Sequence, residues 1–141
     1  MSYKETYSWD PETGSAIVKL TDDKNNIFLG QANCHPDDKE HMSKYFGLDL
    51  AEIRAKNNML RYIRDTEVKP ALRILEQLFT NMKTSKQFNP RSYEARMIRR
   101  KIAFLRKDLE IIKDIMATNK QYMLEMIHIS DDFNARMGKN G

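Results

Sequence analysis

Cysteine is nearly absent from this chain of 141 residues: Cys34 stands alone, so no disulfide can form within one copy. A single thiol fits a reducing compartment and excludes a small disulfide-stapled scaffold. Glycine and proline are also scarce, at five and four residues, far from a collagen-like or Pro/Gly-rich composition. No stretch approaches the roughly 18 uninterrupted apolar residues of a membrane span. The opening Met-Ser-Tyr-Lys-Glu-Thr has no basic-then-apolar signal pattern, so the expected location is the cytoplasm. Neither a Gly-rich phosphate loop nor a Gly-x-Ser-x-Gly elbow occurs. Nothing in this inventory argues for an enzyme, and no cofactor is implied.

What is abundant is helix-forming, charged and apolar sequence. Hydrophobic residues make up 40% and charged residues 31%, a balance suited to a folded chain able to bury a core. The net charge is +4 with a pI near 9.1, a mild basic excess compatible with nucleic acid but not diagnostic of it.

The strongest pattern lies in the last third. Ile98, Ile102, Leu105, Leu109, Ile112, Met116, Asn119, Met123, Met126, Ser130, Phe133 and Met137 recur at alternating steps of four and three. Ten of these twelve positions are apolar, and neither Pro nor Gly occurs from Arg91 to Met137. A period of 3.5 residues keeps one helix face turned toward a packed partner, so a long helix is expected. Asn119 and Ser130 either fix the register of that seam or mark where it opens.

A second helical stretch precedes it. Ile53, Leu60 and Ile63 form one stripe, and Val68, Leu72, Leu75, Phe79 and Met82 form another in steps of four and three. The phase shifts near Pro70, where a helix-interior proline predicts a kink. Thr84 to Asn89 reads as a polar loop, with Asn89-Pro90 as cap and first residue of the next helix. Helices over about 50–84 and 90–137 joined by so short a loop are expected to be antiparallel neighbours.

The first third differs. Ser15 to Leu20 and Ile27 to Asn33 read as strands, joined through the polar Asp22-Asp23-Lys24-Asn25-Asn26 turn. A lone hairpin is marginal in water, and Lys4 to Trp9 offers a third strand. Pro36-Asp37-Asp38 starts a short helix that Gly47 is expected to stop, and Asp49 with Glu52 then opens the long helix as a capping box. The fold class is therefore α+β. Residues 1–48 form a β-hairpin and short-helix region, and residues 49–141 a coiled-coil-like helical hairpin.

A two-helix hairpin needs one apolar seam per helix, and these carry more. Ile74 and Leu78, with Ala71, flank the first seam; Phe104, Ile111, Ile115 and Tyr122, with Met97 and Ile129, flank the second. A surplus stripe of this size marks an interaction surface, and the expected partner is a second copy of the chain. Ile74, Leu78, Phe104, Ile111, Ile115 and Tyr122 are the expected oligomer interface. The alternative is that the N-terminal region covers them.

Two clusters have chemical character. The bases Arg96, Arg99, Arg100, Lys101, Arg106 and Lys107 are the candidate surface for an acidic protein or for nucleic acid. Arg99, Arg106, Lys113 and Lys120 recur every seven residues beside the seam, where bases pair with acids such as Asp65, Glu67 or Glu76. Cys34, His35, Asp37 and His41 could ligate zinc only by distorting the helix start, whereas helix capping explains Pro36, Asp37 and Asp38 without a metal.

His35-Pro36-Asp37-Asp38 superficially resembles the zinc motif of the deacetylases acting on N-acetylglucosaminyl lipids, which implies a metal-dependent hydrolase as an alternative. That family also needs a larger α/β sheet and a paired-histidine motif, and only His41 and His128 remain here. A broader likeness covers residues 15–56. Gly30-Gln31-Ala32-Asn33-Cys34-His35-Pro36-Asp37-Asp38, then Ser43, Gly47 and Leu50-Ala51-Glu52-Ile53-Arg54-Ala55-Lys56, resembles small uncharacterised proteins of phages and prophages of Gram-positive bacteria. The resemblance implies a phage origin, hence the host cytoplasm, and no mechanism. The resulting expectation is a non-enzymatic protein that self-associates and binds or inhibits a host or phage protein.

Overall fold

The structure, a computed structural model, describes residues 2–33 and 44–140, with the backbone alone at 130, 133, 134 and 136–140. The elements run β1 (Tyr3–Asp10), β2 (Ser15–Asp22), β3 (Ile27–Asn33), α1 (Lys44–Ile63), a π-helical turn (Arg64–Val68), α2 (Lys69–Lys83) and α3 (Tyr93–Asn140). The protein is α+β: an antiparallel sheet in the order β1-β2-β3, plus helices. It forms two compact units, one of residues 1–59 with 116–141 and one of residues 60–115.

In the first unit the sheet is built by two turns. Asp10 accepts the Glu12 N–H on its carboxylate (2.9 Å) and the Gly14 N–H on its carbonyl (2.8 Å). Gly14, at φ 69°, then turns the chain into β2. At the second turn the Asp22 carboxylate accepts the backbone N–H groups of Lys24 and Asn26 and the Asn26 side-chain amide. The Asn26 amide, with those N–H groups, holds the Asp22 carboxyl below its usual range. Asn25 takes the left-handed conformation at φ 64°, which asparagine tolerates in such turns.

Alternation along the strands gives the sheet one covered face. Ala16, Val18 and Leu20 pair with Ala32, Gly30 and Phe28, and all six are buried. β1 extends that face with Trp9, half-buried, beside Ala16 and Tyr7, exposed, beside Val18. The third strand expected at Lys4 to Trp9 is thus present.

Helix α1 covers this face by close backbone approach. A Cβ on Gly30 would stand 1.9 Å from the Ala51 carbonyl oxygen and 2.4 Å from the Ala55 nitrogen. Gly47, Ala51 and Ala55, spaced at fours, are all buried, so α1 presents a ridge of small residues. Its polar neighbours close the outer edge of β3. Arg54 Nη1 donates to the Gln31 carbonyl (2.6 Å) and Asn58 Nδ2 to the Leu29 carbonyl (2.7 Å). Four helical residues advance about 6 Å and two strand residues about 6.7 Å, which is why one i,i+4 pair reaches alternate carbonyls. An edge that would recruit another strand is thereby blunted.

Two sequence expectations are corrected in α1. Gly47 does not stop a helix: α1 runs through it, and Gly47 is buried there. Asp49 and Glu52 accordingly lie inside α1 and form no capping box. The part of the expected short helix before Lys44 lies outside the described residues. At Pro70 the helix adopts a π turn over Arg64–Val68, in which the Lys69 N–H bonds to the Arg64 carbonyl five residues back. Pro70 then falls in the first turn of α2, where its missing N–H costs little. The Thr66 hydroxyl donates to the Tyr62 carbonyl (2.7 Å) within the same turn.

Helix α3 starts at Tyr93 rather than at Pro90. Ser92 is its cap, accepting the Ala95 N–H (3.2 Å), while Asn89 accepts the Arg91 N–H (2.9 Å) in the preceding turn. Replacing Gly30 by alanine should lower the unfolding free energy by about 3 kcal/mol, because the new methyl meets helix backbone that must shift. Urea unfolding checks this, and an unchanged midpoint would contradict the packing of α1 on β3.

Candidate interaction surfaces

In α3 the repeat read from the sequence is the sheltered face. Ile102, Ile112 and Met126 are buried and Ile98, Leu105, Leu109, Met116, Asn119 and Met123 half-buried, while the residues between are exposed save Ala95, Met97 and Ile127. The side chains of Ser130, Phe133 and Met137 lie outside the described residues. In the second unit Val68 and Leu72 are buried, and Leu75, Phe79 and Met82 continue their stripe half-buried. There Phe88 stands edge-on to Phe79 (centroids 6.0 Å, planes 78° apart), with Lys83 Nζ 5.0 Å over the Phe79 ring. That cluster closes the connection between α2 and α3.

Asn119 has a definite partner. Its Nδ2 donates to Asn57 Oδ1 (2.9 Å), and Asn57 is the one buried polar or charged residue among the described residues. This bond ties α1 to α3 within the first unit and selects one register, since any slip strands a buried amide. The sequence reading flagged Asn119 and missed Asn57. The only available signal was an amide sitting between the apolar positions Ile53 and Leu60.

The apolar residues flanking the seams are exposed: Ile74 68%, Leu78 46%, Phe104 63%, Ile111 46%, Ile115 41% and Tyr122 51%. Arg96, Arg99, Arg100, Lys101, Arg106 and Lys107 are exposed as well. Arg106 Nη2 meets Glu76 Oε1 at 3.2 Å, the pairing expected of a base beside the seam. Arg99 instead donates to the Pro90 carbonyl (2.6 Å), and Asp65 pairs with Arg64 (2.8 Å) and Lys69 (3.8 Å). Arg64 holds the Asp65 carboxyl below its usual range.

Cys34, His35, Asp37, Asp38 and His41 lie outside the described residues. Among the described residues no three of His, Cys, Asp or Glu stand together as metal ligands. Two depressions flank α3. One of about 310 Å³ lies among Met82, Phe88, Ser92 and Glu94, and the other, of about 460 Å³, along Ala117, Gln121, Tyr122 and Glu125. Both are open to solvent rather than enclosed. Among the described residues, no helix is long and apolar enough to cross a membrane. The chain matches no family model, and no curated protein or solved structure is significantly similar to it.

Truncating Asn119 to alanine should cost about 1–3 kcal/mol, since the Asn57 amide is left buried and unpaired. Replacing Asn57 and Asn119 together by leucine should recover most of that loss in a denaturant-unfolding cycle. Additive losses would mean the two amides act separately.

Proposed function

We propose that this is a non-enzymatic interaction protein, phage-encoded, that self-associates through its helices and binds or inhibits another protein. The carrying observation is the exposed apolar set Ile74, Leu78, Phe104, Ile111, Ile115 and Tyr122 on helices whose other faces already have a seam. Burial of each such side chain is worth about 1.5–3 kcal/mol, so a wet stripe of this length favours association. The two long helices form an antiparallel, coiled-coil-like hairpin. One contact in each unit supports that arrangement: Asn57 of α1 meets Asn119 of α3 in the first, and Glu76 of α2 meets Arg106 of α3 in the second. Two hairpins pairing into a homodimer bury the surplus stripe. The likeness of residues 15–56 to phage and prophage proteins supports the origin, and the single thiol supports work in the host cytoplasm.

Sedimentation velocity across a dilution series tests the association. The wild-type chain should sediment as a dimer that dissociates on dilution. Ile111→Glu with Ile115→Glu should raise the dissociation constant at least roughly 100-fold. A compact single chain at every concentration would overturn the reading.

A second reading rests on the bases. Arg96, Arg100, Lys101 and Lys107 are exposed on the first turns of α3, and their side chains have no ion pair or hydrogen bond among the described residues. They are placed to neutralise phosphates of nucleic acid or carboxylates of an acidic protein. If all six bases of the cluster contact duplex DNA, the log–log salt slope should be about −5. No binding to duplex or single strand at low salt would leave the protein partner alone.

A further inference from the structure

We infer that the self-association surface is α3 itself, pairing antiparallel with the α3 of a second copy about a two-fold axis level with Lys113. The inference rests on the self-association proposed above and specifies its geometry. At 3.6 residues per turn, Met97, Phe104, Ile111, Ile115, Tyr122 and Ile129 fall within roughly 40° of arc on one face of α3. Five of the six are exposed and Met97 is half-buried. Their spacing reads the same in both directions. Met97 and Ile129 are each sixteen residues from Lys113, Phe104 and Tyr122 nine, Ile111 and Ile115 two. A face symmetric about one level is what an isologous antiparallel contact requires, since every residue must meet its counterpart twice. Phe104 then faces the partner's Tyr122, Ile111 the partner's Ile115, and Met97 the partner's Ile129.

Charge selects the same arrangement. From Tyr93 to Lys107 the helix carries six bases and one acid; from Asp108 to Asp132 it carries six acids and two bases. Parallel pairing would stack like on like, whereas antiparallel pairing sets each basic half against an acidic half. Along one flank of the apolar face, Arg100 comes level with the partner's Glu125, and Arg96 comes near the partner's Asp132. Glu125 and Asp132 are both exposed, and their contacts are a long bond from Gln121 (3.4 Å) and His128 (3.4 Å). The occupant this surface fits is therefore a second copy.

The test uses the full-length chain with Cys34→Ser, carrying either Phe104→Cys or Tyr122→Cys. Under mild oxidation the mixture of the two variants should cross-link, and neither variant alone should. Two copies of residue 104 stand about 27 Å apart in this geometry. Cross-linking of the Phe104→Cys variant with itself would show parallel pairing and overturn the inference. A dimer by sedimentation whose mixture does not cross-link would overturn this geometry while leaving self-association standing. A lone chain by sedimentation would overturn both. Independently, Arg100→Glu should weaken the dimer roughly tenfold, and adding Glu125→Arg should restore it. Failure of the double exchange to restore the dimer would overturn the pairing of the two residues.

Discussion

The absence of a side chain at Gly30 is the constraint on which the first unit depends. Because nothing projects from β3 there, the α1 backbone settles on the sheet closely enough that any Cβ would overlap the Ala51 carbonyl. That approach fixes the height and direction of α1. Ala51 and Ala55 form the contact, and Arg54 and Asn58 then fall opposite the carbonyls of Gln31 and Leu29. One further step along the helix, Asn57 is aimed at Asn119. A small-residue contact of this kind yields less hydrophobic energy than large side chains would. It yields more definition, because backbone against backbone leaves no rotamers to adjust.

Helix continuity past Pro70 follows from a change of phase. The first stripe ends at Ile63 and the second begins at Val68, a step of five where steps of three and four prevail. The π turn over Arg64–Val68 accommodates one extra residue and leaves the apolar face on the same side through α2. Without it the second stripe would rotate about 100° away from the first. The proline is tolerated because it falls in the first turn of α2, directly after that turn.

Much of this was legible in the sequence. Alternation with two turn-rich segments gave the strands, and the 3.5-residue repeat gave α3 with its sheltered face. The helix start before α3 was misplaced by three residues because Asn89-Pro90 and Ser92 are both good start signals, and only the backbone distinguishes them. Gly47 reads as a helix stop because glycine favours that position, yet α1 simply runs through it, and local sequence does not say which glycine a helix will cross. Gly30 carries no signal of its close contact, and Asn57 only its place between Ile53 and Leu60. Their roles exist only once β3, α1 and α3 are brought together.

The two readings of the basic cluster compete for the same side chains. In the antiparallel pairing Arg96 and Arg100 face carboxylates of the partner, and Arg99 and Arg106 are already held by the Pro90 carbonyl and Glu76. Only Lys101 and Lys107 then stay available to an outside anion. Two lysines give a small counterion-release term, too weak to hold a duplex at physiological salt. Nucleic-acid binding by this cluster would therefore call for the single chain. If two copies pair as proposed, association would decide which class of partner this basic cluster is able to engage.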